Sequence, residues 1–409
     1  MSFQQGLSGL NAASKSLEAI GNNVANSGTI GFKQSQVQFS DVYASTLTGS
    51  GAAQIGIGTQ VARVAQQFSQ GNVSLSNNPL DMAINGNGFF KLDSNGEATY
   101  TRNGQFTLSK EGYIENATGQ RLKGFQNGVE TVLVIDKADL APAVTDDYQL
   151  SVTLDSGQTV KSSALFKRAD PDTYNHSTSA SVYDSLGNAH TLSTYYVKTS
   201  ANNWDVFAYS DSVPMQLVTS PPTTPTTSGF VGSMVFNSAG VLTSSSTFAG
   251  PLTAAVATGA ADLSINIDHK GTKQFAGEFA VNQQMTNGYA AGSLAGFSVS
   301  NDGMILGRYT NGNTSILGQV ALANFRNPNG LQNIGNNQWV PTSEAGILGG
   351  IFPPGTSGLG SVQSARVEES NVDLTAELVN MIVAQRVYQA NAQTIKTQDQ
   401  ILQTLVNLR

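Results

Sequence analysis

The two ends of this 409-residue chain carry helical patterns, whereas the sequence between them is patterned as β-structure. In residues 3–24, apolar or small side chains recur at alternating steps of three and four, which is the spacing of a seam along which two helices pack. This first helix is expected to end at or before Gly28. The predicted seam consists of Phe3, Gly6, Leu10, Ala13, Leu17, Ile20 and Val24.

Residues 371–409 repeat this pattern in a second helix. Gln385 and Asp399 interrupt its apolar stripe. The simplest topology pairs the two terminal helices and inserts the intervening domains between them, as outgoing and returning segments. The stripe consists of Leu374, Leu378, Met381, Tyr388, Ala392, Ile395, Leu402 and either Leu405 or Val406.

The start of the second helix carries its own signals. Ser370, Asn371 and Asp373 are candidate N-caps, because their side-chain oxygens can accept hydrogen bonds from the first free amides of a helix. Carboxylates cluster there, which complements the positive end of the helix dipole. The clustered carboxylates are Glu368, Glu369, Asp373 and Glu377.

Both seams are thin, because Gly6, Ala13, Ala392, Gln385 and Asp399 contribute little apolar surface. Burial yields about 25 cal/mol per Å² of apolar area, and an isolated helical hairpin has little else to offset its ordering entropy. We therefore predict that the terminal helices become ordered only when several copies pack side by side. A buried pair within one chain is the alternative.

The polar face of the second helix carries amides and hydroxyls, whereas an ordinary solvated face carries Glu and Lys pairs. An uncharged polar face suits the lining of a channel that must not grip passing polypeptide. Polar contacts between subunits are the alternative. The candidate channel-lining residues are Gln385, Gln389, Gln393, Gln400 and Gln403.

Short alternating strands separated by glycine turns dominate the middle of the chain. Residues 181–209 predict a meander, residues 231–245 a hairpin, and residues 296–326 further strands. Residues 220–228 and 346–360 are rich in Pro, Thr or Gly and are predicted to be irregular. Within residues 84–135, turns are expected at Asn95-Gly96, Asn103-Gly104, Glu111-Gly112, Thr118-Gly119 and Asn127-Gly128.

Composition narrows the class of protein. The absence of Cys rules out disulfides and thiolate sites. Charged residues make up 12% and the net charge is −7 with no basic patch, which argues against nucleic-acid binding. No run reaches the roughly 18 apolar residues of a membrane helix. The first six residues lack the basic and apolar regions of a secretory signal, so a Sec signal is not expected, although the Cys-free composition suits a protein exported unfolded.

No motif indicates an enzyme. His176, His190 and His269 lack partners at metal-ligand spacing and are expected to be ordinary surface or turn histidines. The pair Gly86 and Gly88 lacks the third glycine of a dinucleotide loop, and Asp170-Pro171-Asp172 favours a turn over a cation site. We therefore assign no catalytic residue, cofactor or metal.

Three sets of motifs resemble bacterial flagellar rod and hook proteins. The first set, in residues 8–13, 20–26 and 30–33, includes Asn22, Asn23, Ala25, Asn26, Gly31, Phe32 and Lys33. The C-terminal set lies in residues 370–374, 381–386, 388–391 and 394–397. The third set lies in residues 84–90 and 100–106. Within the family, chain length, the central insertion and the motif in residues 182–190 favour a hook-type member over a rod-type member.

The resemblance implies an α+β fold. Coiled-coil-like N- and C-terminal helices would carry two inserted, mainly antiparallel β domains arranged radially. The implied divisions are an inner helix domain (1–32 and 366–409), a connecting arm (33–72 and 358–365), a middle β domain (73–147 and 286–357) and an outer β domain (148–285).

The resemblance also implies a structural role. Many copies would polymerise into a curved, flexible, hollow tube, a universal joint that transmits motor torque to the filament and lets distal subunits pass. The implied partners are further copies of the chain, a hook cap protein, a distal rod protein, a hook–filament junction protein and the flagellar type III export apparatus, without nucleic acid, membrane insertion or cofactor. The implied location is the extracellular hook on the basal body.

Two alternatives stay open at this point. The first is a distal rod protein, which would act as a rigid drive shaft. The second, from another class, is an extracellular carbohydrate-active or adhesive β protein, suggested by the Asn- and Gly-rich middle of the chain.

Overall fold

A computed structural model describes residues 2–42, 56–94, 96–217, 229–245, 251–256 and 259–407. Two predicted features, Asn95 of the first expected turn and the loop at residues 220–228, lie outside this range. The described chain is mostly β-structure with a helix at each end. The helices are α1 (Ser2–Ala25) and α2 (Leu374–Asn407).

The strands follow α1 in chain order. Those that precede residue 137 are β1 (Ser35–Val42), β2 (Gly58–Gln66), β3 (Val73–Leu75), β4 (Met82–Asn85), β5 (Phe89–Ser94), β6 (Glu97–Thr101), β7 (Thr107–Leu108), β8 (Ile114–Glu115), β9 (Arg121–Gln126) and β10 (Val129–Val132). The central strands are β11 (Asp147–Asp155), β12 (His176–Tyr183), β13 (Ala189–Ser200), β14 (Asn203–Ser210), β15 (Val213–Pro214), β16 (Gln216–Leu217), β17 (Phe230–Phe236), β18 (Leu242–Ser245), β19 (Leu252–Ala254), β20 (Leu263–Asp268), β21 (Lys273–Phe275) and β22 (Ala280–Thr286). The returning strands are β23 (Leu294–Val299), β24 (Met304–Tyr309), β25 (Thr314–Val320), β26 (Leu322–Phe325), β27 (Leu331–Gly335), β28 (Gln338–Pro341), β29 (Ile347–Phe352), β30 (Ser361–Ser364) and β31 (Arg366–Glu368).

The chain divides into two compact units. Unit 1 comprises Met1–Lys137, Gly296–Arg308 and Thr314–Arg409, and unit 2 comprises Ala138–Ala295 and Tyr309–Asn313. Unit 1 is therefore built from segments that lie before and after the central insertion.

In unit 1, outgoing and returning segments are antiparallel partners. β3 pairs with β31, and β4 pairs with β30. The largest sheet runs in the order β23-β24-β25-β9-β5-β6-β28-β27. Its core is aromatic: the Phe89 ring lies 5.5 Å from Phe68 and Phe325 and 5.8 Å from Trp339, all edge to face, which is a favoured geometry for aromatic pairs.

Unit 2 contains two six-stranded sheets that share one apolar core. One sheet runs β16-β19-β20-β11-β21, with β22 also on β11, and the other runs β12-β13-β14-β17-β18, with β15 on β14. Tyr148, Tyr196 and Trp204 are fully buried in this core. Pairing is mostly antiparallel, except that β11 runs parallel to β20 and β21.

Most local predictions for the middle of the chain are confirmed. The meander is β12-β13-β14, the hairpin is β17-β18, and β23 to β26 occupy the third predicted region. Gly112, Gly119 and Gly128 have positive φ angles in their turns, where glycine is favoured because it has no Cβ. The proline turn is also confirmed, since Asp170 caps a short 3₁₀ turn, Pro171–Thr173.

Two local predictions are wrong. Residues 346–360 include β29, because β26 supplies its backbone with antiparallel hydrogen-bond partners despite the glycine content. Asn103-Gly104 is not a hairpin turn, since the strands on either side of it, β6 and β7, do not pair with each other. Gly104 instead lies against β4, where a Cβ would overlap the carbonyl oxygen of Met82.

The start of α2 follows the predicted signals. Asp373 Oδ1 accepts hydrogen bonds from the amides of Thr375 (2.9 Å) and Ala376 (3.1 Å), so Asp373 is the N-cap.

Among the described residues, neither helix is long and apolar enough to cross a membrane.

Candidate assembly surface and buried junction

The terminal helices pack closely in one chain because α1 presents glycines to α2. A Cβ at Gly6 would lie 3.1 Å from Cγ1 of Ile395, and one at Gly9 would lie 2.9 Å from the Asn391 side chain. Near the other end, Asn23 Nδ2 donates to Oε2 of Glu377 at 3.5 Å. The two helices are therefore antiparallel.

The predicted seam residues of α1 differ in burial. Ala13 and Ile20 are buried, Leu10, Leu17 and Val24 are half-buried, and Phe3 is exposed. In the family motif, Asn23, Gly31, Phe32 and Lys33 are buried, Asn26 is half-buried, and Asn22 and Ala25 are exposed.

The predicted stripe of α2 is only partly covered within the chain. Met381, Ala392 and Ile395 are half-buried, whereas Leu374, Leu378, Tyr388 and Leu402 are exposed. The Leu405 side chain lies outside the described residues. The glutamines of the predicted channel face, Gln385, Gln389, Gln393, Gln400 and Gln403, are all exposed.

Among the α2 side chains that the structure describes, the two that are buried lie outside the predicted stripe. Glu377 and Ala384 are almost fully buried. At the antiparallel register of the helices, α2 extends past the start of α1, which leaves Ile401, Leu402 and Val406 exposed. Leu374, Leu378 and Ile382 are exposed near the start of α2. We call these two groups of exposed apolar side chains, one near each end of α2, the candidate assembly surface.

A groove of about 520 Å³ lies between α1, α2 and the β1-β2 hairpin. Ile20 and several small side chains of α1 line one wall, and Val383 and Val387 of α2 line another. Val37 and Phe39 of β1 contribute the third side. The small residues on α1 therefore leave a space that larger apolar side chains could fill.

A fully buried ion cluster, which we call the junction, lies at the base of the helices. Lys33 Nζ donates to Oε1 of Glu368 at 2.7 Å, and Arg102 NH1 donates to Oε2 at 3.2 Å. The side chains of Lys33 and Glu368 are 0% exposed and that of Arg102 is 3% exposed. One carboxylate thus joins the segment after α1, the β6 end and the segment before α2.

Further hydrogen bonds satisfy the polar groups of the junction. Lys33 Nζ also donates to the carbonyl oxygen of Ser69 (2.8 Å), and Arg102 NH2 donates to that of Gly86 (2.8 Å). The amide of Gly71 donates to Oε1 of Glu368 (3.0 Å). Burial lowers the pKa of Lys33 and of Arg102, and Glu368 counteracts this in both cases. Removing Glu368 would therefore leave two buried cations without a counter-charge.

A second polar network lies beside the junction. Gln34 Nε2 donates to Oε1 of Glu377 at 2.6 Å, and Asn23 exchanges two 2.9 Å hydrogen bonds with the backbone of Ser35. Asn371 Oδ1 accepts a hydrogen bond from the backbone amide of Gln34 at 2.8 Å. These bonds fix the chain reversal between α1 and β1 against the start of α2.

The sequence motifs included Lys33, Arg102 and Asn371, but nothing indicated their partners. Glu368 and Glu377 were expected to serve the helix dipole. Instead, Glu368 ends β31 and is the counter-charge that Lys33 and Arg102 share, and Glu377 accepts hydrogen bonds inside the helix pair. One feature of the sequence could have indicated the junction: charged residues stand at motif positions in a chain that has only 12% charged residues.

The expectation of ordinary surface or turn histidines needs one correction, because two of the three are buried. His269 is buried, and burial lowers its pKa to about 4. His190 is also buried, and its ring nitrogens lie 2.8 Å from Asp211 and 3.2 Å from Asp184. His176 is half-buried and stacks on Phe279. In the part of the chain that the structure describes, no group of His, Asp and Glu is arranged to hold a metal.

His190 lies at the end of the hook-type motif in residues 182–190 and contacts Asp184, whose carboxylate organises the turn in that motif. Asp184 Oδ1 accepts from the amides of Leu186 and Asn188, both at 2.9 Å, and Gly187 takes a positive φ of 86°. Burial alone would lower the pKa of His190, but the hydrogen bonds and charges of Asp211 and Asp184 outweigh it and raise the pKa.

This arrangement predicts a pH dependence for unit 2. Because the folded pKa of His190 is raised, its contribution is complete below the unfolded value of about 6.5 and is lost as the pH rises through the folded value. We expect unit 2 to become less stable as the pH rises above about 6.5 and through the raised pKa of His190, and His190→Gln to remove that decline. Hydrogen exchange of unit 2 peptides measures this loss of stability. An unchanged decline in His190→Gln would show that His190 is not its cause.

Four family models match segments of the chain, and all four describe one class of protein. Residues 3–33 match the family described as "Flagella basal body rod protein", and residues 363–408 match the C-terminal family of flagellar basal body rod FlgEFG proteins. Residues 83–160 match the flagellar hook protein FlgE/F/G D1 domain, and residues 153–289 match the flagellar basal body protein FlaE D2 domain. These matches define an axial protein of the flagellar rod and hook class.

Individual relatives narrow this class. The chain is 40% identical to the flagellar hook protein FlgE of Salmonella typhimurium and 38% identical to that of Escherichia coli K12, over the full length of both chains in each case. The hook protein of Brucella suis is 31% identical over all of this chain and 98% of its own. The chain therefore belongs to the flagellar hook protein family, and it is a structural subunit of the hook of the bacterial flagellum.

A solved structure agrees with the fold. The crystal structure of Helicobacter pylori flagellar hook protein FlgE2 matches with a TM-score of 0.52 over 71% of this chain and 99% of that one. At 13% identity, this likeness concerns the fold alone.

Proposed function

We propose that copies of this hook subunit polymerise through α1 and α2 into a curved, flexible, hollow tube. The tube acts as a universal joint that transmits motor torque to the filament. The observation that carries this proposal is the apolar surface of α2, where Leu374, Leu378 and Ile382 are exposed by 46%, 44% and 51%. A contiguous exposed apolar surface indicates a contact with another molecule, because water solvates it poorly.

The radial order of the tube is part of this proposal. The coiled-coil-like helix domain (1–32 and 366–409) lies innermost, followed by the arm (33–72 and 358–365), the middle β domain (73–147 and 286–357) and the outer β domain (148–285). The predicted seam residues make the inner contacts. The β1-β2 hairpin against α1 and the separate apolar core of unit 2 support this division.

The exposed glutamines of α2 line the channel in this proposal. All five lack charge and are available to solvent in the single chain. Exported subunits would pass them without binding tightly, because a neutral amide attracts charged polypeptide only weakly. The type III export apparatus, the hook cap protein, the distal rod protein and the hook–filament junction protein are the partners that this role requires. The extracellular location and export without a cleaved signal peptide belong to the same proposal.

Polymerisation of the purified chain tests the proposal. Tubes should form with rising concentration, and the terminal helices should resist protease only within them. Leu402→Lys places a charge on the exposed end of α2 and should raise the concentration needed for assembly at least about tenfold, which corresponds to about 1.4 kcal/mol. The control is Leu165→Lys, which alters an exposed leucine of unit 2. Straight tubes, or equal effects of the two variants, would contradict the proposal.

A further inference from the structure

Asparagine followed by glycine recurs along this chain, and the asparagine of such a pair can lose its side-chain amide nitrogen spontaneously. Glycine has no side chain, so its backbone nitrogen can approach the side-chain carbonyl carbon of the asparagine before it. Whether a given pair reacts depends on solvent access and on the hydrogen bonds that hold its reacting groups. Asn95 lies outside the described residues. The pairs begin at Asn85, Asn87, Asn95, Asn103, Asn127, Asn287, Asn311 and Asn329.

Asn127-Gly128 forms the tip of the β9-β10 hairpin. Gln126 and Val129, the antiparallel partners on either side, enclose a turn of two residues. The φ angles of Asn127 and Gly128 are 52° and 78°, and positive values at both positions favour Asn-Gly in such turns. Both residues are exposed, and a Cβ at Gly128 would meet no neighbouring atom of the described residues within 4 Å. The tip therefore has open space in which to change conformation.

The two reacting groups of this pair are not held in place. In the described part of the chain, neither the Asn127 side chain nor the Gly128 amide has a hydrogen-bond partner. Water and hydroxide can therefore reach the Gly128 amide, and no hydrogen bond has to break before this nitrogen moves towards Cγ of Asn127.

Two other pairs have asparagine side chains that are held by hydrogen bonds. Asn287 is also exposed, but its Oδ1 accepts from the amides of Asp146 (3.2 Å) and Asp147 (3.1 Å), and its Nδ2 donates to Oδ1 of Asp146. Asn311 Nδ2 donates to the carbonyl oxygen of Ala290 at 2.8 Å. Solvent access alone therefore does not distinguish Asn127 from Asn287, whereas hydrogen bonding does.

The attacking nitrogen is bonded or buried in further pairs. The amides of Gly312 and Gly330 donate to the carbonyl oxygens three residues before them, both at 3.0 Å. The amide of Gly86 donates to a glutamine side chain at 3.0 Å. Gly88 and Gly104 are buried. Among the pairs that the structure describes, the β9-β10 tip thus combines an exposed glycine with two unbonded reacting groups.

We infer that Asn127 is a site of spontaneous deamidation in the folded subunit. The Gly128 nitrogen loses its proton to hydroxide and attacks Cγ of Asn127. The bond between this nitrogen and Cγ forms, the bond from Cγ to Nδ2 breaks, and Nδ2 leaves as ammonia. Water then opens the resulting succinimide ring at either of its carbonyl groups, which yields aspartate or isoaspartate.

The product would change the surface of unit 1. The hairpin tip borders a groove of about 560 Å³ that Phe125, Met304 and Ile316 help to line. Deamidation places a carboxylate at this rim, and such a group is charged at neutral pH. In the isoaspartate form the main chain runs through the former side chain. The turn then gains one backbone atom, which a two-residue turn cannot absorb without disturbing the β9-β10 register.

Peptide mapping of the full chain tests this inference without requiring tubes. The folded chain is kept in mildly alkaline buffer, digested with trypsin at intervals and analysed by mass spectrometry for replacement of an amide NH₂ by OH. We expect Asn127 to deamidate at least about tenfold faster than Asn287 and Asn311, because their side chains must first break hydrogen bonds. In urea, where the fold is absent, the three rates should become equal.

Asn127→Gln is the matched variant. Glutamine closes a larger ring much more slowly, so the change should abolish the mass increase in the tryptic peptide that spans residues 124–137 and leave the other pairs unaltered. A rate at Asn127 no faster than at Asn287 and Asn311 in the folded chain would overturn the inference. A difference that persists in urea would do the same, since it would not arise from the fold, as would an unchanged mass increase in the variant.

Discussion

Glu368→Gln should destabilise unit 1 by at least about 3 kcal/mol, because it leaves two buried cations without a counter-charge. For a unit of this size, that loss lowers the melting temperature by about 10 °C. Glutamine has nearly the same shape, so the loss reports charge and hydrogen bonding instead of a cavity. Hydrogen exchange of unit 1 peptides and thermal unfolding of the full chain measure the effect. Because the junction anchors both terminal segments, tube formation should also weaken.

The neighbouring carboxylate provides a matched control. Glu369 bonds to Asn72 at an exposed position, so Glu369→Gln should change stability by less than about 0.5 kcal/mol. Replacing Lys33, Arg102 and Glu368 together with Met, Met and Leu should recover much of the loss, because apolar residues of similar volume can substitute for a buried ion cluster. Equal effects of the two single variants would contradict the assigned role of Glu368.

Removal of most of unit 2 should leave tube formation intact while changing the curvature or bending stiffness of the tube. The structure offers a defined place for the deletion, because Ala143 and Tyr289 are antiparallel partners with hydrogen bonds of 3.1 and 3.0 Å. Replacing residues 144–288 with Asn-Gly would close this pair with a two-residue hairpin turn. The core of unit 2 is removed whole by this change, so unit 1 should stay folded.

Electron microscopy of the resulting tubes measures this prediction. In a bending tube, contacts far from the axis change length most, so they determine curvature and should be weak and polar. The control is the unaltered chain, which keeps residues 144–288 and already contains an Asn-Gly turn at Asn127-Gly128 with positive φ angles. Loss of assembly in a folded deletion variant would show that unit 2 is needed for polymerisation and would refute the proposed division between the units.

Local sequence patterns predicted much of the fold. The spacing of apolar residues predicted both helices within a few residues of their observed ends, and the cap at Asp373 is confirmed. Glycine turns predicted most of the β hairpins, because positive φ angles select glycine within a few residues of chain. The prediction failed for β29, where a distant strand supplies the hydrogen bonds.

Local sequence patterns predicted less of the candidate assembly surface than of the fold. The predicted stripe of α2 included Leu374 and Leu378, which are exposed in the single chain, and omitted Glu377 and Ala384, which are buried. An apolar periodicity marks which helix face can be covered, but it does not distinguish a partner within the chain from one in another copy. Whether the terminal helices need other copies to become ordered stays a prediction.

By itself, the sequence determined the local elements, their order and the family, since these depend on residues close together in the chain and on recurring motifs. The tertiary structure alone decided how the charges are paired. Lys33 and Glu368 are 335 positions apart, and their contact exists only because unit 1 brings the two ends of the chain together. Burial then makes that single carboxylate decisive, because a charge removed from water is costly unless a partner of opposite sign lies beside it.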